Sequence, residues 1–319
     1  MDIISKLGIS YKASYLVQGN QLERCNTSKS LGVTNTELMI RTDGKDSDID
    51  KIMKSYKGNI IFHIPAINPD LSNLDKTNEL VRELKKKNIK LITIPASNLS
   101  LGLFEWSTLE EQKKYFLNIV TAIATLASNK IEVAIENLNP NDKESKFGSS
   151  MNQITDTIVY ARRLLVKDFG FKEDDAEKYV GIALNIDNIS TFESKDALQN
   201  YFEVFNSNIK LVKIKNMDNL EMLLGTLKDF NKNVVVLMET KSELDDIKKE
   251  YKELTERVNK YYGYEEKEEK PNKKNKPKKG VKNGVKDTKN NDGFSNIIIV
   301  SMILTTIAIV ILMFMVKLG

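Results

Sequence analysis

Six side chains in this 319-residue sequence combine a reactive type with an informative position. His63 lies near the end of the run NIIFHI, Glu136 closes IEVAIE, and Glu239 closes NVVVLME. Asn185 and Asn188 follow GIAL, and Lys213 sits late in IKLVKI. Each falls at the carboxyl-terminal end of a short β-rich run. A carboxylate placed straight after Ile135 or Met238 is carried into apolar surroundings and needs a partner there. Gathered on one rim, two carboxylates, one histidine, one lysine and amides would converge on a single mouth, where Glu136 or Glu239 could serve as a base beside a carbonyl. Ile94 ends another such run and ligates nothing.

The elements that position these residues repeat along the first 264 residues. Strand-like runs are expected at 11–17, 36–41, 59–64, 90–94, 131–136, 181–186, 209–214 and 233–239. Several are continuous apolar runs, the pattern of parallel strands buried on both faces. Amphipathic helices are expected between them, notably at 74–87, 108–128, 151–167 and 242–262. Ser107 or Thr108 serves as N-cap of the second of these, with Glu110 and Glu111 in its first turn. Eight strands with intervening helices in about 260 residues is the arithmetic of a (β/α)8 TIM barrel, whose chemistry sits at the carboxyl ends of the strands. No G-x-G-x-x-G follows the first run, so a dinucleotide-binding sheet has no support. Trp106, the only tryptophan, is expected in core packing or in a staple at a helix entry, with a ligand platform as the alternative.

The remainder of the chain differs in composition. Residues 265–296 are rich in Lys, Asn, Glu and Gly and nearly devoid of apolar side chains, which is the composition of a disordered linker. Residues 297–316 read IIIVSMILTTIAIVILMFMV, without charge, proline or glycine. About 20 such residues are needed to cross a bilayer, so one C-terminal transmembrane helix is expected. Residues 1–12 carry no apolar signal-peptide core, and lysines crowd the flank of the span. These features imply a tail-anchored, single-pass membrane protein with the barrel on the cytoplasmic side. The lone Cys25 allows no internal disulfide. Eleven lysines against six acids follow residue 264, in a chain of net charge +4. The first 264 residues therefore sum to about −1 and lack the positive footprint of a duplex-binding domain.

In order along the chain, several segments resemble the endonuclease IV group, family 2 of the AP endonucleases, in the xylose-isomerase-like barrel superfamily. FHIPAINPDLSN is similar to that family's H-x-P-Y…N-L stretch. IENLNPNDKESKFGSS resembles its E-N-T-A-G-Q-G…G-S-S segment, VGIALNIDNIS its V-G-x-C-x-D-T-C-H, and LMETK its closing L-E-T-P. The resemblance covers roughly residues 9 to 240. It implies up to three metal ions, usually zinc, that activate a water at a DNA phosphodiester. Carried over by position, His63, Glu136 and Glu239 match metal ligands. The other matched positions depart from the family. Ile94 stands in place of a histidine, Asn185 of an aspartate, Asn188 of a histidine, and Lys213 of another histidine.

A neutral amide is a weak zinc ligand, and a lysine puts a fixed positive charge where a dication would sit. Lys213 is therefore expected to replace the metal and to neutralise Glu136, Glu239 or both. Three function classes follow from this pattern. The first is a catalytically degraded, membrane-held binding or scaffold protein. It would have no cofactor and a pocket for a small polar or phosphorylated ligand. The second is a sugar isomerase, epimerase or phosphodiesterase with a reduced metal site, one Zn or Mn ion held by His63, Glu136 and Glu239. The third is a full AP endonuclease. The missing ligands favour the first.

Overall fold

The computed structural model describes residues 3–12, 21–40, 47–64, 73–97, 99–139, 146–189, 195–240 and 242–264. The expected linker at 265–296 and the expected span at 297–316 lie outside the described residues. No helix among the described residues is long and apolar enough to cross a membrane.

Eight short strands lie side by side in chain order and close on themselves as a parallel barrel. They are β1 (Leu7–Ser10), β2 (Asn35–Met39), β3 (Asn59–His63), β4 (Leu91–Pro95), β5 (Glu132–Glu136), β6 (Val180–Asn185), β7 (Ile209–Ile214) and β8 (Val235–Glu239). Among the described residues, ten α-helices accompany them: α1 (Gln21–Ser30), α2 (Ser47–Ser55), α3 (Asn73–Lys86), α4 (Leu101–Trp106), α5 (Leu109–Ser128), α6 (Met151–Phe169), α7 (Glu173–Tyr179), α8 (Lys195–Phe205), α9 (Leu220–Asp229) and α10 (Leu244–Tyr262). This is the (β/α)8 barrel expected from the alternation.

The two-residue period of a strand sorts its side chains. One set, which includes Ile9, Leu38, Phe62, Ile94, Ile135, Ile182, Val212 and Val236, joins the large apolar cluster shared with the helices. The other set faces the barrel axis, where Ile61, Ala134, Ala183, Leu211 and Leu237 form a separate small cluster with Leu91 and Val235 against it. Two residues further along five of these strands, the same inward face carries His63, Glu136, Asn185, Lys213 and Glu239. The barrel thus has an apolar floor and a polar layer above it.

Local signals set the ends of the elements. Thr108 caps α5 through a capping box with Glu111, and Ser150 caps α6 through one with Gln153. Each satisfies backbone donors that the first helical turn leaves open. Gly148, just before Ser150, takes φ of 102°, and a Cβ there would lie 2.6 Å from that of Ala96. Only glycine suits that approach between the loops after β4 and β5.

Two expectations are corrected. The first strand is Leu7–Ser10, not 11–17, most of which lies outside the described residues. It is only four residues long and contains Gly8, with Ile9 as its one β-branched residue, so its strand signal is weaker than that of the residues downstream. A Cβ on Gly8 would meet the Asn35 carbonyl oxygen at 2.3 Å, so this strand trades propensity for close approach. Trp106 is not packed in a core: it is 89% exposed at the end of α4.

Candidate functional site

Lys213 lies at the centre of the polar layer. Its side chain is fully buried, and its Nζ stands 2.6 Å from Glu37 Oε1 and 2.7 Å from Glu136 Oε2. Of the two partners expected for it, Lys213 takes Glu136. Its other partner is Glu37, in place of Glu239. Lys12, two residues past β1, reaches Glu136 Oε1 from the other side and lies 3.4 Å from Glu239 Oε2. Asn185 Nδ2 donates to Glu136 Oε1 and to Glu239 Oε2, both at 3.2 Å. Glu136 is thus bound on both oxygens, and three carboxylates share two ammonium groups.

Hydroxyl groups complete the layer around Glu37. Ser10 donates to its Oε2 and Thr93 to its Oε1. The Thr93 oxygen also lies 2.9 Å from His63 Nδ1. Because the Thr93 hydrogen is directed to Glu37, His63 must be the donor in that contact. This assigns the neutral tautomer protonated on Nδ1. The same Nδ1 is 3.5 Å from Glu136 Oε2.

The electrostatics follow from these contacts. Burial opposes ionisation of Glu136, but Lys12, Lys213 and His63 outweigh it and hold the carboxyl well below its ordinary range. Glu37 is lowered likewise, burial being overcome chiefly by Lys213 and then His63. Burial, reinforced by the Lys213 charge, pushes the imidazole of His63 down to about 3. Burial also works against the Lys12 ammonium. Glu136, Glu239 and Glu37 prevail and raise its pKa. At neutral pH the cluster therefore holds ionised Glu37 and Glu136, a charged Lys12 and a neutral His63. Carboxylates lowered in this way are weak bases, and a firmly protonated lysine is no nucleophile.

The layer also bears on metal binding. Glu37, Glu136 and His63 are the donor types a divalent ion takes, but the Lys213 ammonium stands between the two carboxylates. It supplies the positive charge and hydrogen bonds that an ion would otherwise provide. The residues as arranged do not fit a divalent ion. Among the described residues, no group of three or more His, Cys, Asp or Glu side chains is placed to hold one.

The remaining expected residues take positioning roles. Asn188 Nδ2 donates to the Asn137 carbonyl at 2.8 Å, tying the loop after β6 to the end of β5 rather than joining the charged cluster. Asn137 in turn exchanges hydrogen bonds with the backbone of Asn185, at 2.7 and 2.9 Å. Asp187 accepts from the backbone of Lys215 and Asn216, joining the loops after β6 and β7. Ile94 belongs to the apolar cluster on the helix side of the sheet, and its neighbour Thr93 faces the axis in its place. The sequence reading missed Glu37, Lys12, Ser10 and Thr93. Glu37 carried the same signal as Glu136, a carboxylate inside an apolar run. Ser10 and Lys12 follow Gly8 at the two-residue spacing, which becomes visible once β1 is placed correctly.

No protein-family model and no curated protein matches the chain. Solved structures do match. D-psicose 3-epimerase from Clostridium cellulolyticum H10, solved with D-tagatose, matches with a TM-score of 0.53 at 13% identity, over 73% of this chain and 84% of that one. An AP endonuclease of family 2 from Brucella melitensis matches with 0.54 at 14% identity, over 75% and 93%. A xylose isomerase domain protein from Planctomyces limnophilus matches with 0.52 at 10% identity, over 81% and 99%. These proteins share the (β/α)8 barrel fold with this chain. At these identities the likeness concerns the fold alone.

Proposed function

We propose that this chain is a xylose-isomerase-like barrel in which lysine has taken the place of metal. In this reading it works as a binding or scaffold protein rather than as a metal-dependent enzyme. It is held at a membrane by residues 297–316, with the barrel on the cytoplasmic side. The observation that carries the reading is the buried Lys213 ammonium, 2.6 and 2.7 Å from Glu37 and Glu136. The pocket would be read from its accessible rim, where Lys12 and Glu239 keep 18% and 10% of their side-chain surface. The Lys12 ammonium beside the Glu239 carboxylate suits a small polar or phosphorylated ligand. Nucleic acid is disfavoured by the absence of a basic excess in residues 1–264.

A second reading is a sugar isomerase or epimerase, or a phosphodiesterase, with a reduced metal site. It draws on the two carboxylates bridged by Asn185 and on the epimerases among the structural neighbours. A zinc-dependent AP endonuclease is the remaining alternative. The test is to supply the purified full chain with Zn2+ or Mn2+ and assay ketose epimerisation and cleavage of an abasic-site duplex. No turnover above the metal blank is expected in either assay. Metal-dependent turnover that disappears in Glu136→Gln would replace the proposal with the corresponding enzyme.

A further inference from the structure

Among the described residues, the four most exposed large apolar side chains lie in α4 and α5, outside the polar layer. Within seven residues, Leu103 is 53% exposed, Trp106 89% and Leu109 67%. Leu117, two turns further along α5, is 55% exposed. Leu117 also lines a groove of about 510 Å³ whose other walls include Phe104, Phe116, Phe147, Tyr160 and Leu164. Isolated exposed apolar residues are ordinary, but a contiguous group with the largest side chain outermost marks an interaction surface.

The platform beneath the group is built. Phe104 packs on Phe147 with ring centroids 5.0 Å apart, and Phe116 packs on Phe147 at 6.1 Å. The Phe147 amide donates to the Leu99 carbonyl at 3.0 Å, and Ser100 pairs with Lys146, which joins the loops after β4 and β5. Trp106 therefore projects from a braced short helix.

We infer that this surface docks on the headgroup layer of a zwitterionic bilayer, with Trp106 and its leucine neighbours entering the interface. The inference rests on the proposed anchoring through residues 297–316, which would keep the barrel beside lipid. A tryptophan flanked by leucines suits the membrane–water boundary, where an amphipathic ring satisfies both its apolar face and its N–H. The exposed charges around the group, Glu105, Glu110, Glu111, Lys113 and Lys114, nearly balance. They offer no excess cation to an anionic leaflet, so the lipid is of the zwitterionic class. The direction of the chain adds a consequence. α4 and the first turn of α5 lie in the connection that leaves the carboxyl end of β4, the end at which the polar layer opens. Docking there turns the mouth of the barrel toward the headgroups.

Trp106 is the only tryptophan in the chain, so its fluorescence reports this surface alone. The full chain is reconstituted into phosphatidylcholine vesicles, floated on a density gradient and examined by tryptophan emission. The expected result is co-flotation, a blue-shifted emission protected from aqueous iodide, and quenching by lipid brominated near the headgroup. A Leu103→Ser, Leu109→Ser variant should still float but regain iodide quenching. Co-flotation with Trp106 still quenched by iodide would overturn the docking and leave the anchor intact. A blue shift without quenching by brominated lipid would overturn it in favour of a protein partner or a second copy. Failure to float would overturn the anchor, and the docking with it.

Discussion

Lys213 stabilises the site because two carboxylates would otherwise be buried without a counter-charge. Taking a carboxylate out of water is costly, and the cost is recovered only with good geometry and satisfied lone pairs. Glu37 and Glu136 meet both conditions through Lys213, Lys12, Ser10, Thr93 and Asn185. Lys213→Met keeps most of the volume and removes the charge. It should destabilise the domain by about 3–5 kcal/mol at neutral pH in a denaturant titration. The pH dependence has a definite sign. Carboxyls whose folded pKa is depressed contribute stability above their unfolded pKa, near 4.5, and lose it as pH falls through the folded value. The native and Lys213→Met stabilities should therefore converge in acid below about pH 4. A constant gap across that range would show that Lys213 acts by packing alone. The pairing of Lys213 with a carboxylate was legible from residue types. Its partner Glu37 was less legible, because barrel chemistry is expected at strand ends and Glu37 lies in the middle of β2.

At the level of elements, the strands were easier to read than the loops that carry the chemistry. Seven of the eight runs fell within two residues of the observed bounds, because a buried parallel strand writes a continuous apolar stretch. β1 did not, since a four-residue strand containing glycine writes almost none. Facing was also less legible than existence. Ile94 and Thr93 exchange roles on a shift of one residue, which period-two geometry makes decisive. The GSS segment has a plain physical meaning. Gly148 permits the close approach to Ala96, and Ser150 accepts from the Gln153 amide to start α6. Ser150→Ala should lower stability by about 1 kcal/mol, the usual cost of a lost N-cap, while Ser150→Thr should be nearly neutral. Chemical denaturation of the pair checks this, and equal losses in both variants would contradict it.

For the whole molecule, the sequence led to the barrel because the count and spacing of its elements leave few alternatives. It could not lead to the placement of Trp106, since a lone aromatic at the end of a short helix reads the same whether it packs inward or projects. In the proposed function, lysine and not a bound ion balances the charge in the barrel mouth. A single histidine among 319 residues makes that claim directly observable, because its ring sits within the cluster and has no rival signal. Burial beside the Lys213 charge lowers its pKa to about 3. The measurement is a proton NMR titration of that imidazole from about pH 8 down to pH 5, across the ordinary histidine range, repeated with excess Zn2+. Ring signals that stay in place throughout both series are expected if lysine holds the balance. Titration near the ordinary histidine pKa, or a zinc-dependent shift of the ring at neutral pH, would contradict it.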